Sequence, residues 1–139
     1  MLLCVDDNQG VLEYERALFE RSGYIVVTAA SPREGLKLAM MSNFDAVLLD
    51  YLMPEMNGHQ LASEIRRIRP ETPVVMFSGE EMIPEETRKL VDAVVTKNEA
   101  IRELLPTVTR LCNNRQPETI VRSDSPALLA LIACGRSIP

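Results

Sequence analysis

The chain has 139 residues, 46% of them hydrophobic and 25% charged, with a formal net charge of −5. That is one ordinary soluble domain with enough apolar material for a real core, and its acidic balance argues against a nucleic-acid or membrane surface. Three scattered cysteines, Cys4, Cys112 and Cys134, lack zinc-like spacing and suit a reduced, cytoplasmic protein.

Leu2 to Val5 form a brief apolar run that stops at Asp6-Asp7, with no signal peptide expected ahead of it. Helical spacing follows. Val11, Tyr14 and Leu18 share a stripe, Leu12 and Phe19 lie beside it, and Gly23 is a stop signal. Tyr24 to Thr28 is rich in β-branched and aromatic residues and predicts the second strand. Ser31-Pro32-Arg33-Glu34 predicts a capped helix start, with Ser31 as cap, Pro32 in the first turn and Glu34 completing a capping box. That helix carries Leu36, Leu38, Ala39 and Met40 and ends near Ser42-Asn43.

Ala46 to Leu49 is a continuous apolar run, as suits a strand buried on both faces of a parallel sheet. It stops at Asp50, and Pro54 and Gly58 break the chain before helical periodicity resumes. Leu61, Ile65 and Ile68 mark the inner stripe of the next helix, with Arg66, Arg67 and Arg69 on its wet side and last turn, and Pro70 ends it. A fourth strand, Pro73 to Ser78, ends in a hydroxyl. The polar stretch Glu80 to Lys89, with Pro84 as helix entry, predicts only a short fourth helix. Ala93 to Thr96 is the fifth strand and delivers Lys97 to its end. Ile101, Leu104, Leu105, Val108 and Leu111 then close the domain, with Pro106 expected to kink that helix or to mark a first turn that starts later than Glu99.

Strands alternating with helices imply a doubly wound, five-stranded parallel sheet in a three-layer α/β/α arrangement. Right-handed crossovers bring the strand ends to one edge, where ligands bind in open α/β sheets. The residues arriving there are Asp6, Asp7, Asp50, Ser78 and Lys97. Three carboxylates in one place need a cation, and an all-oxygen donor set favours Mg²⁺ over zinc. A lysine and a hydroxyl beside such a site suit the oxygens of a phosphoryl group. The set therefore points to phosphoryl transfer onto or near Asp50.

Val5-Asp6-Asp7-Asn8, Leu48 through Gly58, Ser78-Gly79 and Lys97 together resemble the receiver domain of two-component response regulators, the CheY-like family with its flavodoxin-like fold. The resemblance covers roughly residues 1–112. It implies that Asp50 accepts a phosphoryl group from the phosphohistidine of a sensor histidine kinase or phosphotransfer protein. It further implies that Asp7 binds Mg²⁺ directly, Asp6 largely through water, and the backbone carbonyl of Leu52 completes the metal site. Ser78 would hydrogen-bond the phosphoryl group, Lys97 would pair with it, and output would pass to a downstream protein target. Three features depart from the family pattern. Asn98 stands where a proline usually follows the lysine, Val94 stands where an aromatic ring is common, and the interval from Ser78 to Lys97 is short.

Two rival readings are weaker. A pseudo-receiver, an interaction module that is never phosphorylated, is favoured by Val94 and Asn98 but opposed by the intact set of five polar residues. A phosphohydrolase would place a second acid two residues after its nucleophile, where Leu52 stands. His59, Asp45 and the methionines read as ordinary surface or gap-filling residues. Residues 113–139 read as a linker followed by a short apolar segment, Ala127 to Cys134, too short to span a membrane. If not a frayed terminus, that segment docks on its own domain near the fourth helix or forms a homodimer contact. Too few residues follow 112 to fold as an output domain, so the expectation is a stand-alone receiver.

Overall fold

The computed structural model describes residues 1–79 and 82–114. Five strands alternate with five helices: β1 (Leu2–Val5), α1 (Gln9–Arg21), β2 (Val26–Ala29), α2 (Pro32–Met41), β3 (Ala46–Leu49), α3 (Gly58–Ile68), β4 (Val74–Ser78), α4 (Glu85–Leu90), β5 (Ala93–Thr96) and α5 (Ala100–Asn114). A short 3₁₀ turn, Lys97–Glu99, joins β5 to α5. The strands form one all-parallel sheet in the order β2-β1-β3-β4-β5. β1, β3 and β4 are buried along their whole length, which is why their sequences are unbroken apolar runs rather than alternating ones.

Each sheet face has its own core. Leu2, Cys4, Leu48, Val75 and Phe77 point toward α1 and α5, where they meet Leu12, Phe19, Leu104 and Val108. Leu3, Val5, Val47, Leu49 and Met76 point the other way and meet Ala39, Leu61, Ala62 and Ile65 of α2 and α3. Successive strand residues thus divide between two apolar layers.

Several sequence expectations shift by a residue or a face. The buried stripe of α1 is Leu12, Glu15 and Phe19, whereas Val11 and Leu18 are only partly buried and Tyr14 is exposed. An apolar scan passes over this stripe because its middle member is a carboxylic acid. β2 begins at Val26 rather than Tyr24, because the end of α1 captures the tyrosine. The Tyr24 N–H donates to the Phe19 carbonyl, the two rings meet edge to face at 5.8 Å, and the phenol reaches Thr109. Ser31 caps α2 by accepting from the Glu34 N–H, but the Glu34 carboxylate reaches one residue further back, to the Ala30 N–H. Met40 is exposed, and α2 lies close to β1 through Gly35, where a Cβ would stand 2.7 Å from Val5.

α5 starts at Ala100, just after Glu99, and runs through Pro106, which falls in its second turn rather than its first. Pro106 is exposed, and the one ladder bond it removes is offset by the buried stripe Leu104, Val108 and Cys112. The arginines of α3 are more than a wet face. Arg66 donates to the carbonyls of Leu90, Pro70 and Thr72 and to Asp92, so it fixes the far end of α4. Arg69 donates to the carbonyls of Ala39 and Met40 and so caps α2. His59 is half-buried and its Nδ1 lies 2.8 Å from the buried Thr87 hydroxyl, tying α3 to α4. The Cys4 and Cys112 thiols are both buried, and that of Cys112 lies 3.7 Å from the Asp45 carbonyl. Asn113 and Asn114, expected in the linker, belong instead to the last turn of α5; the rest of the linker and the apolar C-terminal segment, Cys134 included, fall on residues 115–139 and lie outside the described residues. No helix among the described residues is long and apolar enough to cross a membrane.

Candidate active site

The site is assembled by strand register. Val5 pairs with Leu49 and Ser78 with Thr96, so Asp6 and Asp50 stand side by side just past their strands and Lys97 emerges next to Ser78. Backbone bonds carry the ladder one step further: the Asp6 N–H donates to Ala29 and the Asp50 N–H to Val5, each at 3.1 Å. Both carboxylates are therefore held on rigid backbone.

Asp6, Asp7 and Asp50 each bring a carboxylate oxygen within 4.8 Å of the others. Asp6 and Asp50 are buried and Asp7 is exposed at the rim. The Asp6 oxygens are already engaged. One accepts from the Asn8 N–H at 2.9 Å and the other from the Lys97 ammonium at 2.9 Å. Asn8 also caps α1 by accepting from the Val11 N–H, so the helix start and the acidic cluster share one turn. Lys97 stands 3.5 Å from Asp50 as well, bridging the two buried acids. Its Nζ lies over the Phe77 ring, 5.9 Å from the centroid.

The electrostatics follow from that crowding. Burial, and then the neighbouring Asp6 charge, push Asp50 up from 3.8 to about 6 against the opposing pull of Lys97. Burial alone would lower the Lys97 ammonium, but its hydrogen bond to Asp6 and the charges of Asp50 and Asp6 outweigh that and raise it. A cluster with too much negative charge for its one cation, and with oxygen donors only, fits a hard divalent ion.

The loop after Asp50 bends tightly. Glu55 takes φ 73°, a left-handed conformation for a residue that is not glycine, and the Met56 N–H closes on the Pro54 carbonyl at 2.7 Å. Gly58 then starts α3 within reach of Asp50. A Cβ there would stand 2.5 Å from the Asp50 carbonyl and 2.8 Å from Met76 Sδ. Asn57 and Gln60 form a complete capping box, a start signal as plain in the sequence as that at Ser31. Leu52, in the same loop, has an exposed side chain. Ser78 is buried at the end of β4.

The residue-matched family model for the response regulator receiver domain covers residues 2–109. The chain belongs to the response regulator receiver family. Its solved neighbours are receivers too. A CheY-like receiver domain protein from Methanospirillum hungatei is 27% identical, with a TM-score of 0.77 over 84% of this chain and 96% of the other. Response regulator TrrA from Thermotoga maritima, in complex with Mg(2+)-BeF, is 28% identical, with a TM-score of 0.75 over 79% of this chain and 96% of the other. Among curated proteins, the transcriptional regulatory protein GlrR of Escherichia coli is 33% identical over an alignment of 147 positions, which takes in 99% of this chain and 33% of that protein. SrrA of Staphylococcus aureus is 29% identical over 88% of this chain and 52% of its own length. The chain thus spans a third to a half of the curated relatives it matches. Its fold is the CheY-like α/β fold, as its strand order and these neighbours show.

As a receiver, the chain departs from the expected pattern where the sequence said it would. No cis peptide occurs among the described residues, and Lys97-Asn98-Glu99 instead form a 3₁₀ turn in which the Thr96 hydroxyl donates to Glu99 at 3.1 Å. Val94 is half-buried on the α2–α3 side of the sheet, and α4 has only six residues. Two residues near the site went unread in the sequence. Phe77 looked like plain strand core, and Glu15 was hidden in a helix surface pattern. The i, i+3, i+7 spacing of Leu12, Glu15 and Phe19 is the signal that exposes the second.

Proposed function

We propose that this protein accepts a phosphoryl group from the phosphohistidine of a sensor histidine kinase or phosphotransfer protein onto Asp50, in a Mg²⁺-dependent reaction in the cytoplasm, and signals through contacts with a downstream protein. The observation that carries this reading is the shared position of Asp50, Lys97 and two further carboxylates on one strand edge, with Lys97 between Asp6 and Asp50.

In the reaction an Asp50 oxygen forms a bond to phosphorus as the phosphorus–nitrogen bond to the donor imidazole breaks, and the electron pair leaves with that nitrogen. Asp50 has to be ionised to attack, which its value of about 6 allows at neutral pH. Lys97 would shift from its pairing with Asp6 toward the phosphoryl oxygens, and the Ser78 hydroxyl would donate to one of them. Asp7, Asp50 and the Leu52 carbonyl would hold Mg²⁺, with Asp6 acting largely through water. When bound, the ion supplies charge neutralisation among the carboxylates and the transferring oxygens. The Mg(2+)-BeF complex of TrrA supports this reading. The role is that of a switch that assists its own phosphorylation and dephosphorylation.

Intact mass after incubation with acetyl phosphate tests it. One phosphoryl group should be gained in Mg²⁺, and none without Mg²⁺ or in Asp50→Asn. A wild-type protein that takes no phosphoryl group from acetyl phosphate or from a phosphorylated sensor kinase would overturn the proposal and leave an interaction module.

A further inference from the structure

We propose that Phe77 is a positioning residue for Lys97: its ring backs the ammonium and sets where the cation stands between Asp6 and Asp50. The inference deepens the phosphoacceptor reading above and rests on it.

Lys97 is a long side chain with many rotamers, carried on the first residue after an edge strand and followed by a 3₁₀ turn without proline. It borders an open cleft of about 400 Å³, lined by Asn8, Val11, Tyr14, Phe77 and Ala100. That space gives the lysine room to swing away from the acids. Two things oppose the swing: the carboxylates ahead of the ammonium, at 2.9 Å and 3.5 Å, and the Phe77 ring under it at 5.9 Å. The ring is only 2% exposed, so packing fixes its orientation, and its negative face attracts the ammonium. The strand register puts Phe77 level with Asp50, because Leu49 pairs with Met76. The ring is therefore a rigid wall at the height of the phosphoacceptor, on the sheet face toward α1 and α5, where the cleft lies.

A ring that merely filled space would affect the site whatever residue 97 is. A ring that positions the lysine acts only through it. Phe77→Leu should slow phosphoryl acceptance from acetyl phosphate by roughly 2- to 10-fold, the range expected for losing a cation–π contact. In a Lys97→Met background the same substitution should produce no further slowing, and Phe77→Tyr, which keeps the ring, should retain the wild-type rate. NMR of the metal-free protein gives a readout independent of chemistry. Ring current should move the Lys97 ε-methylene protons upfield of those of exposed lysines, and Phe77→Leu should return them. Unshifted Lys97 resonances in the wild type, or equal slowing by Phe77→Leu with and without Lys97, would overturn the proposal. If the wild type took up no phosphoryl group at all, the phosphoacceptor reading would fail, and the NMR measurement would decide the role of Phe77 by itself.

Discussion

Asp50 is held at a cost. Its folded-state value of about 6 exceeds the 3.8 of an ordinary aspartate because it is buried beside Asp6, so the folded protein binds the extra proton between those two values and the unfolded chain does not. Stability from this group is therefore fully present below about pH 3.8 and is lost as pH rises through about 6. Asp50→Asn removes the charge and should raise the melting temperature above pH 6, with the gain shrinking to nothing toward pH 3.8. At about 1.4 kcal/mol per pH unit, reduced for water at the open edge, the gain is on the order of 1–2 kcal/mol. Thermal melts of both proteins across that range check it, and an unchanged difference at all pH values would contradict it. Glu15 is a second strained acid. It is 2% exposed, and burial followed by the Asp6 charge pushes its carboxyl well up. Its Oε1 has no hydrogen-bond partner. Glu15→Leu should stabilise the fold by about 1–3 kcal/mol in denaturant titrations, since it exchanges an unsatisfied buried group for apolar packing. The five site residues were legible because each ends a strand run or stands alone in polarity. Glu15 and Phe77 were not, since their roles depend on which neighbour they meet across the α1–sheet layer.

At the scale of elements, the site depends on how closely α3 approaches the end of β3. The Gly58 N–H donates to the Tyr51 carbonyl at 2.7 Å, and only a residue without a Cβ fits against Asp50 and Met76. Gly58→Ala should destabilise by about 1–3 kcal/mol, as overpacking does in a closed core, and should also weaken Mg²⁺ binding because the loop carrying Leu52 must shift. A variant as stable as the wild type with unaltered Mg²⁺ titration would show that the loop has slack the contacts deny. Most elements were readable from their punctuation: Ser31, Pro32, Gly23 and Pro84 all sit at helix ends as their chemistry dictates. The misplaced start of β2 was not readable, because the packing of Tyr24 onto Phe19 outweighed local preference.

At the scale of the whole molecule, two apolar layers lock a parallel sheet whose carboxyl edge collects chemistry contributed by β1, β3, β4 and β5. No single element owns the site. Asp6, Asp50 and Lys97 come from positions as far apart as 91 residues and meet only through register, which is why the strand pattern and the motif order had to be read together. The short α4 and the Val94 face lie on one side of the sheet, whereas Phe77 and the cleft beside Lys97 lie on the other. The central claim is that this edge receives a phosphoryl group on Asp50. Borohydride reduction after phosphorylation converts an aspartyl phosphate to homoserine, and peptide mapping then locates it. The account predicts homoserine at position 50 and nowhere else, appearing only when Mg²⁺ was present during phosphorylation. A phosphorylated protein in which position 50 remains aspartate would contradict it.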